Sequence, residues 1–187
     1  MARDFAEAPA RIGPNALTQT AAALVALQGP AAAEAVFARA GLLHRWREPP
    51  GEMVPEDEPA RLFAAVAEAL GEAEARMVLA DSGRLTGDYI LANRIPGPAR
   101  GLLRLLPARI AARMLLSAIL RHAWTFAGSG RCRAEGLSLV IEGNPLRSPG
   151  GVWHEAVLSR LFARLASRRA TVSRISAAPE RFAISLG

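Results

Sequence analysis

Lysine is absent from the 187 residues, and every one of the 23 basic side chains is arginine. With 17 acids the formal charge is +6, but so one-sided a choice of cation marks a biased composition rather than a selected binding surface. Arginine still stays charged and offers a planar fork to carboxylates and phosphates. There is no long arginine run, and helix-turn-helix, zinc-finger and aromatic RNA-binding signatures are missing, so nucleic acid is not an expected partner. Cysteine occurs once, at Cys132, which excludes an intramolecular disulfide, a cysteine-based zinc site and an iron–sulfur cluster held by one chain. Arg131 and Arg133 would favour its thiolate; the plainer reading is an incidental residue at a strand start. No apolar run reaches the roughly 18 residues that a membrane span needs. The N-terminal stretch contains acids and no sustained apolar core, which fits neither a secretory signal nor an anchor and makes the cytoplasm the expected location.

What is present divides at residues 122–130, H-A-W-T-F-A-G-S-G. Upstream the chain is alanine-rich and helical in pattern; downstream β-branched and turn residues increase. The word itself crowds an imidazole, an indole and a phenyl ring into five residues, and its glycine-bracketed turn would bring backbone N–H groups within reach of a ligand. Residues 1–13 read as a flexible lead-in and 14–187 as one domain, since no repeat or linker divides them.

Helices are expected over residues 15–28, with Leu17, Ala21, Leu24 and Leu27/Gln28 on one face, and over 31–40 with Phe37 inward. Residues 42–55 are proline-rich and read as a loop carrying His44 and Trp46, placed to cover a pocket. A helix over 56–70 has acids in its first turn and Leu62, Val66 and Leu70 on a stripe. Another over 72–93 carries Gly83 and Gly87 on one face, a spacing that admits another helix or a flat ligand. A basic helix over 99–121, kinked at Pro107, has arginines that share no single stripe, so a solvated arginine face is expected. Short strands follow at 124–127 and 137–142. An amphipathic helix buries Val157, Leu161 and Leu165, and a hairpin closes the chain. The pattern alone gives a mixed α and β chain.

Five words, R-I-G-P-N-A at 11–16, T-G-D-Y-I-L-A-N-R-I-P at 86–96, H-A-W-T-F-A-G-S-G at 122–130, N-P-L at 144–146 and W-H at 153–154, resemble the 4-vinyl reductase domain family over most of the chain. The resemblance implies an α/β (α+β) fold in which helices pack on an antiparallel sheet and enclose an apolar cavity, similar to the TRAPP trafficking subunits. Many relatives carry a cysteine pair in the terminal hairpin; this chain has none there, which argues against a cysteine-held metal or redox role.

The family name implies reduction of the 8-vinyl group (4-vinyl in older numbering) of a divinyl chlorophyllide-type tetrapyrrole in bacteriochlorophyll biosynthesis. Hydride transfer ordinarily uses a nicotinamide or flavin, yet no G-x-G-x-x-G opens a helix after a strand and no P-loop occurs. The residues argue instead for a protein with no intrinsic cofactor that binds a magnesium tetrapyrrole intermediate, of protochlorophyllide or magnesium protoporphyrin type, and delivers it to a pathway enzyme. A reductase fed by an external donor and a ligand-free interaction module are the alternatives. A flat, apolar, carboxylate-bearing ligand wants aromatic walls, an arginine and an axial base. His122 or His154 would supply the imidazole, although magnesium also accepts water or a carbonyl oxygen. Trp124, Phe126 and Trp153 would stack, Arg94 or Arg121 would pair with a carboxylate, and Tyr89 and Asn93 would hydrogen-bond a ring substituent. Each has a structural alternative: packed histidine, strand core, helix-capping arginine. A homodimer and peripheral contact with the photosynthetic membrane stay open.

Overall fold

The computed structural model describes residues 10–187, and the first nine residues of the expected lead-in lie outside that range. Its later part forms a two-residue strand, β1 (Arg11–Ile12), before α1 (Asn15–Gln28), α2 (Pro30–Arg39) and a five-residue helix α3 (Leu43–Arg47). β2 (Val54–Pro55) pairs antiparallel with β1. Two longer helices follow, α4 (Asp57–Leu70) and α5 (Glu72–Asn93), and then α6 (Gly97–Leu105), α7 (Ala108–Arg121) and α8 (Trp124–Ala127). The rest alternates: β3 (Arg131–Ala134), β4 (Ser138–Glu142), α9 (Val152–Leu165) after a single 3₁₀ turn, and the hairpin β5 (Thr171–Ala177) and β6 (Glu180–Ser185). The four longer strands form one antiparallel sheet in the order β3-β4-β6-β5. This is a mixed α+β fold.

α9 is the central helix. It buries Trp153, His154, Val157, Leu158, Leu161, Phe162 and Leu165, against α5 on one side and the sheet on the other. Contact with α5 is close because Gly83 and Gly87 face it: a Cβ on Gly83 would meet the Trp153 carbonyl and sit 2.9 Å from Ala156 Cβ, and one on Gly87 would sit 2.8 Å from Arg160 Cβ. The glycine stripe therefore serves helix packing, not a ligand. Ser82, one residue before Gly83, forms a buried chain of hydroxyls. Trp153 Nε1 donates to Ser82 Oγ at 3.2 Å, Ser82 and Thr20 are 2.8 Å apart, and Thr20 Oγ1 donates to the Ala16 carbonyl at 2.7 Å. Because the Thr20 hydrogen is committed to Ala16, Ser82 must donate to Thr20, and the chain is satisfied throughout.

Four expectations are corrected here. Residues 124–127 are helical rather than a strand: with no proline to stop it, the chain leaving α7 closes another turn, Thr125 N bonding the His122 carbonyl and Ala127 N the Ala123 carbonyl. Gly128, at φ 52°, then ends it. The helix over 99–121 is two helices. Pro107 lacks an N–H and forces Leu106 into an extended conformation (φ −79°, ψ 152°), while its own φ of −53° starts α7. Within the proline-rich loop, residues 43–47 close a short helix whose Trp46 rests on Phe37, ring centroids 5.6 Å apart. Leu27, expected on the buried face of α1, is half exposed.

Candidate functional site

A cavity of about 1010 Å³ opens where the start of α1, the end of α5, α7, α8 and the first turns of α9 converge. Its wall is mainly apolar, with Ile90, Leu115, Ile119, Leu146, Val157 and Leu158 among the lining residues. The volume lies at the upper end of the ~300–1,000 Å³ range of small-molecule sites, so it suits a large ligand. Every one of the five sequence words contributes to it, down to Leu146 of N-P-L. That turn is shaped by Asn144, which accepts from Leu146 N at 3.0 Å and donates to the buried Glu180 carboxylate.

His154 is the unusual group in this wall. It is 2% exposed, sits edge-on to Trp153 at 4.8 Å and is flanked by Phe182 at 5.7 Å and Phe126 at 6.1 Å. Neither ring nitrogen has a hydrogen-bond partner among the described residues. Burial pushes its pKa down to about 4, opposed only in part by the Glu180 carboxylate and the Phe126 backbone, which lie near without a well-formed bond to the ring. At neutral pH it is an uncharged imidazole with an uncommitted lone pair, and leaving such a group unpaired costs about 1–3 kcal/mol. Polar groups buried this way normally have partners.

The chain is 44% identical over 176 residues to the bacteriochlorophyll synthase 23 kDa chain of Rhodobacter capsulatus, covering 90% of this chain and 81% of that one. It is likewise 44% identical over 164 residues to the protein of the same name from Cereibacter sphaeroides, covering 83% and 78%. It belongs to the bacteriochlorophyll synthase 23 kDa chain family. No family model matches the sequence.

In this member of the 23 kDa family the cavity is lined by His122, Trp124, Phe126, Arg94, Trp153 and His154 of the residues singled out by sequence. His122 caps α7 and is exposed, and Trp124 is 55% exposed. Trp153 turns its indole nitrogen away into the hydroxyl chain. Arg94, exposed, lies 5.9 Å over the Tyr89 ring and makes no ion pair among the described residues. The other three do not line the cavity. Along α5 and its C-terminal cap the residues Thr86, Ile90 and Arg94 repeat every four positions toward it, which turns Tyr89 and Asn93 onto the neighbouring flank, where Asn93 Nδ2 donates to the Tyr89 carbonyl at 3.0 Å. Arg121 projects from the outer face of α7 beside Arg113.

Other readings change as well. The G-S-G turn is not open to a ligand, because Glu56 accepts from Ser129 N at 2.7 Å and Ser129 Oγ at 2.8 Å. Burial raises the Cys132 thiol to about 11, so the flanking arginines do not yield a thiolate. His44 and Trp46 do not line the cavity, though Gly51, Glu52 and Met53 of the same segment do. Sequence reasoning missed Arg11, which lines the cavity and donates to the Met53 carbonyl; its place inside the R-I-G-P-N-A word was the available signal.

The Glu56 tie gives a stability prediction. Glu56→Ala removes the acceptor for two hydrogen bonds that hold the turn after α8 to the start of α4, and should cost about 1–2 kcal/mol in urea unfolding. Glu56→Gln retains one acceptor oxygen and should lose less; equal loss from both would mean that the contact is not what stabilises the turn.

Proposed function

We propose that this chain is a tetrapyrrole-binding protein of bacteriochlorophyll biosynthesis, which holds a magnesium tetrapyrrole intermediate in the cavity and delivers it to an enzyme of the pathway. The observation that carries this reading is His154, a buried neutral imidazole in the wall of a large apolar cavity, with no hydrogen-bond partner among the described residues. A five-coordinate magnesium at the centre of a flat ring accepts one axial donor, and burial that keeps His154 unprotonated keeps that lone pair available. Phe126 and Trp153 supply aromatic wall beside it. Arg94 and Arg11 supply guanidinium groups for the carboxylates of the ring periphery. The relatives are named as chains of a synthase, which supports hand-over to an enzyme rather than action alone.

The test is a titration of purified protein with protochlorophyllide and with magnesium protoporphyrin monomethyl ester, following the Soret band with and without NADPH. A saturable red shift with no change of the vinyl group is the expected result. Conversion of vinyl to ethyl would replace the carrier with a reductase of the kind the 4-vinyl reductase likeness implies. No binding of either compound would leave an interaction module and end the ligand reading.

A further inference from the structure

Between Asp88 and Glu135 the sequence has no acidic residue and eight arginines. Five of these lie on α6 and α7, and none of the five forms an ion pair among the described residues. Arg100 donates to the Leu91 carbonyl at 3.0 Å and Arg104 to the Arg164 carbonyl at 3.2 Å, contacts that leave their charge uncompensated. On α4 and α5, by contrast, Arg61 pairs with Asp57, and Arg84 with Asp81 and Asp88.

The same two helices expose large apolar side chains. α6 buries none of its residues, and Leu105 is 85% and Leu102 54% exposed. Ile110 and Met114 on α7 are about half exposed, as is Trp124 just beyond it. The break at Pro107 resets the helical phase, so the single-stripe test that suggested a solvated arginine face does not apply. Taken alone, α6 puts Arg100 and Arg104 on one side and Leu102 and Leu105 on the other. α7 buries Ala111, Ala112, Leu115, Leu116 and Ile119 inward and turns Arg109, Arg113, Ile110 and Met114 outward. Arg113, Ser117 and Arg121 also border a shallow recess of about 450 Å³ beside β3, with no acid in it.

We propose that α6 and the outward face of α7 dock this protein on an anionic lipid bilayer. Exposed leucines and a tryptophan set among uncompensated arginines match the two sides of a bilayer interface, acyl boundary and phosphate. No helix among the described residues is long and apolar enough to cross a membrane, so the contact is one of surface. The docking segment leaves from Arg94 and Ile95 and returns to His122 and Trp124, all four of which line the cavity. If the cavity holds a tetrapyrrole, as proposed above, that ligand would enter from a membrane; this last step alone rests on the ligand reading.

The experiment is flotation of the ligand-free protein with phosphatidylglycerol vesicles and with pure phosphatidylcholine vesicles. Recovery with the anionic vesicles only, reversed by salt, is expected. Arg109→Gln and Arg113→Gln should each weaken partitioning about fivefold and Leu105→Ser about tenfold, while Arg61→Gln on α4 leaves it unchanged. All are exposed positions, and circular dichroism confirms that each variant is folded. Equal recovery with both lipids, no recovery, or indifference to the α6 and α7 variants would overturn the proposal. So would a dimer in sedimentation that Leu105→Ser dissociates, since a second copy would then cover the face. The Soret titration uses no vesicles, so failure of either reading leaves the other measurable.

Discussion

His154→Leu should bind a magnesium tetrapyrrole about a hundredfold more weakly than the natural protein and yet be the more stable of the two. The first effect follows from losing the uncommitted lone pair of a buried wall residue, a loss of about 3 kcal/mol. A metal-free ring of the same shape has nothing to coordinate and should lose no more than about threefold, which separates ligation from packing. The second effect follows because leucine fills a similar volume without an unpaired polar atom, a gain of roughly 1–2 kcal/mol in urea unfolding. Acid sharpens the test. In the unfolded chain this imidazole takes a proton near its ordinary value of 6.5, whereas the folded protein resists until about 4. Between those values the unfolded state holds more protons, so stability declines as pH falls through that window, by about 3 kcal/mol in all, and is unaffected above it. His154→Leu should lack that component of the decline. A variant with unchanged affinity for the magnesium compound would sink the axial role, and one with an unchanged acid profile would mean that the histidine is already solvated.

Gly83→Ala should lose about 3 kcal/mol or more. In an exposed helix the same change would gain up to about 1 kcal/mol from propensity, so the sign of the result is itself informative. Here the new methyl would overlap the Trp153 carbonyl and press on Ala156 Cβ, and a backbone carbonyl in the first turn of α9 cannot rotate aside as a side chain can. Relief requires α9 to move from α5, which would stretch the bond from Trp153 to Ser82 and shift His154 with it. Gly87→Ala is the internal comparison and should lose less, because its methyl would sit 2.8 Å from Arg160 Cβ and 3.3 Å from the Val157 carbonyl, a milder overlap than the closer approach to the Trp153 carbonyl at Gly83. A small loss at Gly83, or a larger one at Gly87, would show that the helices are not clamped at this crossing.

The long elements were legible because their signals are local and strong. Leu62 and Val66 on α4 and Val157, Leu161 and Leu165 on α9 are buried as their spacing requires, and Gly29, Gly41 and Gly71 end helices at positive φ. The terminal hairpin was equally plain. Short elements were not: W-T-F-A has the residues of a strand, and only its position immediately after α7 makes it a turn of helix. β3 has the polar sequence Arg131–Ala134 and is a strand because β4 lies beside it, a fact no period-two pattern contains. At the site, sequence chemistry could nominate aromatic, basic and imidazole groups but could not orient them. Tyr89 and Asn93 fall about a quarter-turn off the lining face of α5, and the exposed His122 and buried His154 look alike as letters. Nor could sequence distance show that the Glu56 carboxylate would reach Ser129 and close the G-S-G turn.

The hydroxyl chain behind Trp153 has a further consequence for selectivity. With the indole hydrogen given to Ser82, the Thr86 hydroxyl to the Ser82 carbonyl and the Thr125 hydroxyl to the His122 carbonyl, these wall groups keep no donor for the rim of a guest. A ring held here would be identified through its central metal and its acidic tails, while its alkyl periphery would be sensed only by contour. A receptor so built is tolerant of small edits along that edge and strict about what sits at the middle.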